Sequence, residues 1–327
     1  MTVRVSDAEF KEIWMRCEGH VPKIAKTLES TERLIYRRRN NLEAREGIAL
    51  PSSKTSTTGR PKAYVDKIGS RIDVNIKDGV LLAWGDEHIW PNDYSLARQA
   101  LIWAIQEFQP KILVCDGDAF DGASISRHPP SGYVNAPKVE EELARCKELM
   151  GEIEGLAPPG CKLIWCFGNH DSRFSARLAQ CAPEFVRVQG FDLPDHFPAW
   201  NFCWNCFVNN TLVICHNWKG GVHSGHNNTL GSGMSMATGH DHMLKVTPYH
   251  DYTGVRYGVN LGFLSDFGPD QPKFDYGRNN PANWGGGFGV FTFDKDGMML
   301  PPEVVSIIGQ KAYFRGKVVA VRAARKK

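Results

Sequence analysis

Five short polar blocks in this chain carry side chains of the types that can bind metals or move protons, and four of them directly follow an apolar run. The run 80–84 is followed by Gly85-Asp86-Glu87-His88, and 111–115 by Asp116-Gly117-Asp118-Ala119-Phe120-Asp121-Gly122. The run 161–167 leads into Gly168-Asn169-His170-Asp171, and 211–215 into His216. Later, Gly239-His240-Asp241-His242 sets two histidines two residues apart. On a helix such a pair diverges, whereas a turn or extended segment can aim both imidazoles at one centre. Singly, each block is weak, because D-x-H and H-x-H arise by chance and a lone histidine is more often structural. Together they offer carboxylate, amide-oxygen and imidazole donors, a mixture suited to divalent Mn, Fe or Zn.

Such blocks need a scaffold of strands and helices. From about residue 63 the pattern alternates between the two. Residues 71–76, Asp78-Gly79 and 80–84 predict a β-hairpin. Leu96–Phe108 and Val139–Leu156 predict helices, and 111–115 and 161–167 predict buried strands. Residues 211–215 and Gly287–Phe293 are strand-like as well. This order implies a layered α/β domain with its ligands at strand ends.

The first fifty residues read differently. Phe10, Ile13, Trp14 and Cys17 form one apolar stripe, Gly19 breaks it, and Val21, Ile24, Ala25 and Leu28 repeat the spacing. Ser30 or Thr31 can cap a third helix running through Leu34, Ile35 and Leu42 to about Glu46. The succession resembles a helix-turn-helix, a resemblance that turns Arg33, Arg37, Arg38 and Arg39 toward phosphates or base edges and allows a dimer. Small three-helix units also serve docking or assembly. Residues 51–62, PSSKTSTTGRPK, read as a linker. The division expected is therefore a helical module (1–50), a linker (51–62) and a catalytic domain (63–327).

Composition narrows the classes. The 327 residues are 42% hydrophobic and 23% charged, which excludes disordered and fibrous chains. No apolar run is long enough to span a membrane and no secretory pattern opens the chain. Nine cysteines without a tight spacing argue against a disulfide-stapled fold and for a reducing, cytoplasmic setting. Cys203-Trp204-Asn205-Cys206 has no second C-x-x-C, so its thiols are expected in the core. The net charge of +3 implies no partner by itself. A second basic cluster, Arg322, Arg325, Lys326 and Lys327, adds to the arginines of the third helix as a feature that favours a polyanion.

The order D-x-H, G-D-x-x-D-G, G-N-H-D, H, G-H-x-H resembles the calcineurin-like metallophosphoesterase superfamily, from Asp86 to His242. That resemblance implies a two-sheet α/β sandwich carrying two divalent ions, with Mn first and Fe, Zn, Ni or Co tolerated. It implies Asp86, His88, Asp118 and His242 around one ion and Asp118, Asn169, His216 and His240 around the other, with Asp118 bridging. It also implies that His170 stands beside the ions and protonates the leaving oxygen, oriented and kept protonated by Asp121, while Asp171 has a supporting role. Two ions about 3.5–4 Å apart can share a hydroxide near neutral pH and align an in-line attack on a phosphate ester.

Departures from better-known branches bear on substrate. The serine/threonine phosphatases carry Arg where Gly122 stands, and that Arg grips a monoester. The double-strand-break nucleases carry His where Asp121 stands. Arg127, His128, Arg173 and His223 are candidate substrate contacts, His223 together with His226 in a Gly/Asn/Ser-rich loop. The expected activity is hydrolysis of phosphodiester bonds in nucleic acid, as a nuclease or in DNA-end processing. The alternatives are a phosphomonoesterase or nucleotide phosphatase whose helices serve assembly, and a silent DNA-binding scaffold.

Overall fold

A computed structural model describes residues 5–48, 50, 67–92, 94–128, 135–186, 188–265 and 283–321. The expected linker and the basic residues Arg322 to Lys327 lie outside them. The chain divides into two compact units, residues 1–66 and 67–327. No helix among the described residues is long and apolar enough to cross a membrane.

In the first unit, α1 (Asp7–Arg16), α2 (Val21–Thr27) and α3 (Glu32–Glu46) enclose a small core of Phe10, Trp14, Ile24, Ile35 and Leu42. Ser6 and Glu9 form a capping box at the start of α1, and Gly19 takes a left-handed φ of 71° where that helix ends. Thr31 precedes α3 without a side-chain cap. The expected arginine face is only half free. Arg38 binds the Val5 carbonyl and Asp7 and lies 5.2 Å over the Phe10 ring. Arg39 donates to Glu43 (2.9 Å) and the Leu50 carbonyl (3.1 Å) and stands over Trp14. Cation–π and charge-assisted bonds at half-buried positions hold both side chains inside the unit. Arg33 and Arg37 are exposed.

The second unit is a mixed α/β layer structure. β2 (Gly79–Trp84), β3 (Ile112–Cys115) and β4 (Lys162–Cys166) run parallel, with Leu82 opposite Leu113 and Leu113 opposite Leu163. Parallel neighbours need long crossovers, which α4 (Leu96–Phe108) and α5 (Val139–Leu156) supply. Side chains alternate across the sheet. Leu82, Trp84, Leu113, Cys115 and Trp165 pack on Ala100, Leu101 and Ile105 of α4 and Leu149, Met150 and Ile153 of α5. Leu81, Ala83, Ile112, Val114, Ile164 and Cys166 instead meet the later strands. Burial on both faces explains why these strands read as continuous apolar runs.

The later strands are β5 (Asn201–Val208), β6 (Leu212–Ile214), β7 (Ser235–Thr238), β8 (Leu244–Asp251) and β9 (Gly254–Leu261). Val208, Leu212, Ile214, Ala237, Val259 and Leu261 share that second core. The two layers are joined by hydrogen bonds into one order. Its first part is β13 (Lys317–Val321), β12 (Lys311–Phe314), β11 (Glu303–Ile308) and β10 (Gly287–Phe293), and it continues β2-β3-β4-β5-β6-β7-β9-β8. β5 makes the join, since Asn201 to Cys203 pair with β4 and Cys206 to Val208 with β6. Cys203 and Cys206 are buried there as core thiols.

The expected hairpin does not form. β1 (Gly69–Val74) pairs in parallel with β5, Ile72 facing Cys206, while β2 lies between β3 and β10. Both edges of β2 are therefore taken, and the Asp78 amide donates to the Asp294 carbonyl instead of closing a two-residue turn.

Candidate metal centre

The C-terminal ends of β2, β3, β4, β6 and β7 deliver the five blocks, and the blocks meet. Asp86, His88 and His242 form one trio of donor atoms within 4.8 Å of one another, and Asp118, His216 and His240 form another. Asn169 Oδ1 joins the second at 3.2 Å from His216 Nε2. His88, Asp121 and His170 make a third group beside the first. The five blocks form one site.

Local backbone explains the glycines in these blocks. A Cβ on Gly168 would lie 2.1 Å from Asp118 Oδ1 and 2.5 Å from Asp118 N, so only glycine lets the Asn169 loop approach Asp118. A Cβ on Gly239 would lie 2.6 Å from Asp86 Oδ2, the oxygen that accepts from the His240 amide at 2.8 Å. Asp86, His88, Asp118, His240 and His242 themselves have φ of 53°, 44°, 53°, 66° and 56°. Left-handed backbone at a non-glycine residue costs about 1–3 kcal/mol, and it concentrates here at five of the seven expected ligands. It is also the conformation in which His240 and His242 serve neighbouring donor groups.

Second partners fix which ring nitrogen faces inward. His216 Nδ1 donates to the Asp116 carbonyl (2.6 Å), leaving Nε2 3.1 Å from Asp118 Oδ2. His88 Nδ1 donates to Asp121 Oδ1 (3.2 Å), so Nε2 turns to Asp86 and to His242 Nε2, 3.3 Å away. A nitrogen anchored this way leaves its ring partner free as a metal ligand. Asp171 is fully buried and accepts from the amides of Asp118, Gly168 and Phe120 and from Trp165 Nε1, which ties the β3 and β4 loops together. Burial, with the Asp118 charge added, pushes Asp171 up to about 6.

These residues fit divalent ions. Asp86 Oδ1 is buried without a hydrogen bond although His242 Nε2 lies 3.2 Å away, an unsatisfied acceptor among imidazole nitrogens. Burial opposes charge at Asp86 and Asp118, yet His242 and His216 respectively hold both carboxyls below the usual carboxylate range. Burial likewise opposes a charged His88, but Asp121 and Asp86 raise it to about 9, and Asp118 raises His216. In the metal-free chain, protons on imidazoles thus offset the carboxylates, a role divalent ions would take over.

A pH dependence follows. The stability gained from the His88 proton is complete below its unfolded pKa and is lost as pH rises toward about 9. Ions also compete better once that proton leaves. The rise in melting temperature caused by manganese should therefore be small near about pH 6 and grow toward about pH 8.5. Melting curves with and without manganese across that range test it. A constant increment would mean that His88 is not a ligand.

The group around His170 is equally defined. His170 Nδ1 donates to Asp121 Oδ1 at 2.7 Å, and its backbone amide donates to Asp118 Oδ1 at 2.7 Å. Arg173, at the start of α6 (Arg173–Cys181), donates Nη2 to His170 Nε2 at 3.0 Å and Nη1 to the Asp121 carbonyl at 2.9 Å. Both ring nitrogens of His170 thus have a partner, Asp121 at Nδ1 and Arg173 at Nε2. Of the other expected substrate contacts, Arg127 and His128 are exposed beyond the turn Ala123–Ile125, and His223 is exposed before α7 (Ser224–Ser232). The described contacts bring none of these three to the cluster.

Two participants escape sequence reasoning. Arg98 of α4, 1% exposed, donates to Glu87 (2.6 Å) and Glu152, anchoring the middle residue of the Asp86–His88 block to both helices. Trp90 Nε1 donates to Asp121 Oδ2 at 2.7 Å, locking the carboxylate that orients His88 and His170. A charged hydrogen bond contributes about 1.5–3 kcal/mol. Trp90→Phe, which keeps an aromatic ring without the donor, should lower kcat about tenfold with bound metal unchanged. Metal analysis beside steady-state kinetics decides it, and an unaltered kcat would remove Trp90 from the site.

No family model matches the chain. The Gene 54 protein of Mycobacterium phage L5 is 27% identical over 263 residues, covering 70% of this chain and 94% of that protein. Among solved structures, zinc-complexed wild-type Vps29 from Entamoeba histolytica covers 73% of this chain and 99% of its own at 12% identity and a TM-score of 0.40. A novel archaeal phosphodiesterase covers 70% of this chain and 99% of its own at 12% identity and a TM-score of 0.36.

Proposed function

We propose that this chain is a dinuclear metal-dependent phosphoesterase of the calcineurin-like kind, acting on phosphodiester bonds of nucleic acid. The observation that carries the reading is the meeting of two Asp/His trios with a His170 that Asp121 orients. Two divalent ions held by Asp86, His88, Asp118, Asn169, His216, His240 and His242 would polarise the phosphoryl group and make water acidic. Manganese suits this oxygen-and-imidazole donor set. His170, fixed through Nδ1, can hold a proton at Nε2 for the departing oxygen once Arg173 releases that nitrogen. A phosphoryl oxygen is the natural competitor for the Arg173 guanidinium, so substrate binding itself would free Nε2. Exposed Arg33 and Arg37 support a nucleic-acid partner for the helical unit.

A second reading, a phosphomonoesterase with the helices used for assembly, is favoured by one observation. A Cβ at Gly122 would lie 3.3 Å from Arg173 Cβ, so Arg173 brings a guanidinium next to the position where serine/threonine phosphatases carry theirs. The manganese-loaded protein should be offered bis-p-nitrophenyl phosphate, p-nitrophenyl phosphate, plasmid and single-stranded DNA, and the set repeated with Arg33→Glu/Arg37→Glu. Diester and DNA cleavage, with only DNA cleavage weakened by the double variant, is the expected result. Monoester cleavage alone, indifferent to the variant, would establish the second reading.

A further inference from the structure

Beside the metal centre, a short loop presents an aromatic ring and a cation that the mechanism above does not use. Trp218 follows His216 by two residues and is 46% exposed, and Lys219 Nζ lies 4.9 Å from its ring centroid. The loop is held in place. The Lys219 amide donates to Asn228 Oδ1 (3.1 Å) and Asn228 Nδ2 donates to the Lys219 carbonyl (3.2 Å), while Asn228 itself is 1% exposed. A Cβ on Gly231 of α7 would come within 3.2 Å of Trp218 Cη2 and 2.9 Å of Lys219 Nζ, so that glycine seats both side chains. A Cβ on Gly220 would lie 3.3 Å from Asp241 Oδ1, which places the loop against the block carrying His240 and His242. His170 and Asp121 stand by His88 instead.

We propose that residues 218–220 form a nucleoside subsite, in which Trp218 stacks on the base attached to the scissile phosphate and Lys219 meets the adjoining phosphate. This deepens the phosphodiesterase reading and rests on it. An indole already fixed by its backbone loses little freedom on stacking, and every base offers it a π-face, so the subsite selects nucleosides without selecting sequence. The cation beside the ring supplies the sequence-independent contact that tracks a sugar-phosphate chain.

The test compares thymidine 5′-(p-nitrophenyl phosphate) with methyl p-nitrophenyl phosphate on the manganese-loaded full chain, since both release the same leaving group. The wild type should prefer the nucleoside ester in kcat/KM. Trp218→Ala should lower that preference about tenfold, and Trp218→Phe should restore most of it. Equal kcat/KM for the two esters, or equal losses on both in Trp218→Ala, would overturn the subsite while leaving the phosphoesterase intact. If the wild type turns over neither ester, the phosphodiesterase reading itself fails. The subsite is then judged by protein fluorescence of the metal-free chain. Quenching by thymidine 5′-monophosphate in wild type and not in Trp218→Ala sustains it, and no quenching in either overturns it.

Discussion

Asp118→Asn should abolish turnover and remove at least one equivalent of bound metal. Asp118 is 2% exposed, its Oδ1 accepts the His170 amide, and its Oδ2 faces His216 Nε2 at 3.1 Å. Asparagine has nearly the same volume, so the packing around Gly168 need not change. What changes is charge and donor sense. An amide nitrogen turned toward either partner sets one donor against another, and the remaining oxygen is a far weaker ligand than a carboxylate. The loss also removes the largest of the negative charges that raise His216, leaving only Asp86 and Asp116 to favour its protonated form. Metal content after dialysis, with turnover measured on the same sample, gives the answer. Full activity with two ions retained would dismantle the proposed centre.

His170→Ala should behave oppositely, keeping the metal and losing about two to four orders of magnitude in turnover. The His170 side chain belongs to neither metal trio, and its short hydrogen bond to Asp118 is made by its backbone amide, which alanine preserves, while its ring nitrogen stands farther off at 3.9 Å from Asp118 Oδ2. The defect should depend on the leaving group. A nucleoside alkoxide needs a proton as it departs, whereas p-nitrophenolate is stable without one. The variant should therefore be more impaired on a dinucleotide than on bis-p-nitrophenyl phosphate. Equal impairment on both would assign His170 to phosphate binding rather than proton transfer. Loss of metal would place it among the ligands.

Much of the candidate site is legible in the chain because its chemistry is carried by residue types at strand ends. A buried parallel strand must be apolar on both faces, so 111–115 and 161–167 announce themselves, and whatever polar residues follow them emerge at one edge of the sheet. The helices Leu96–Phe108 and Val139–Leu156 are equally plain, since one stripe of each must pack on that sheet. Less was legible at the edges. β1 looked like the partner of β2 because Asp78-Gly79 is a good turn sequence, yet pairing depends on which sheet edges remain open. Local sequence holds no record of that.

The roles of individual arginines and tryptophans divide along the same line. Arg38 and Arg39 have the same sequence credentials as Arg33 and Arg37, but the packing of α1 against α3 brings Phe10, Trp14 and Asp7 beneath the first two. Trp90 and Arg98 lie outside every motif, and they matter only because folding carries them to Asp121 and Glu87. The order of the candidate metal-binding blocks, the two kinds of unit and the apolar strands that precede four of those blocks follow from the amino-acid sequence, because residue chemistry and periodicity are local properties. The grouping of the candidate ligands into two trios, the left-handed backbone at five of them, the Arg173 contact on His170 and the exposed ring of Trp218 follow only from the tertiary structure. Those depend on approach distances between segments tens of residues apart, which packing sets.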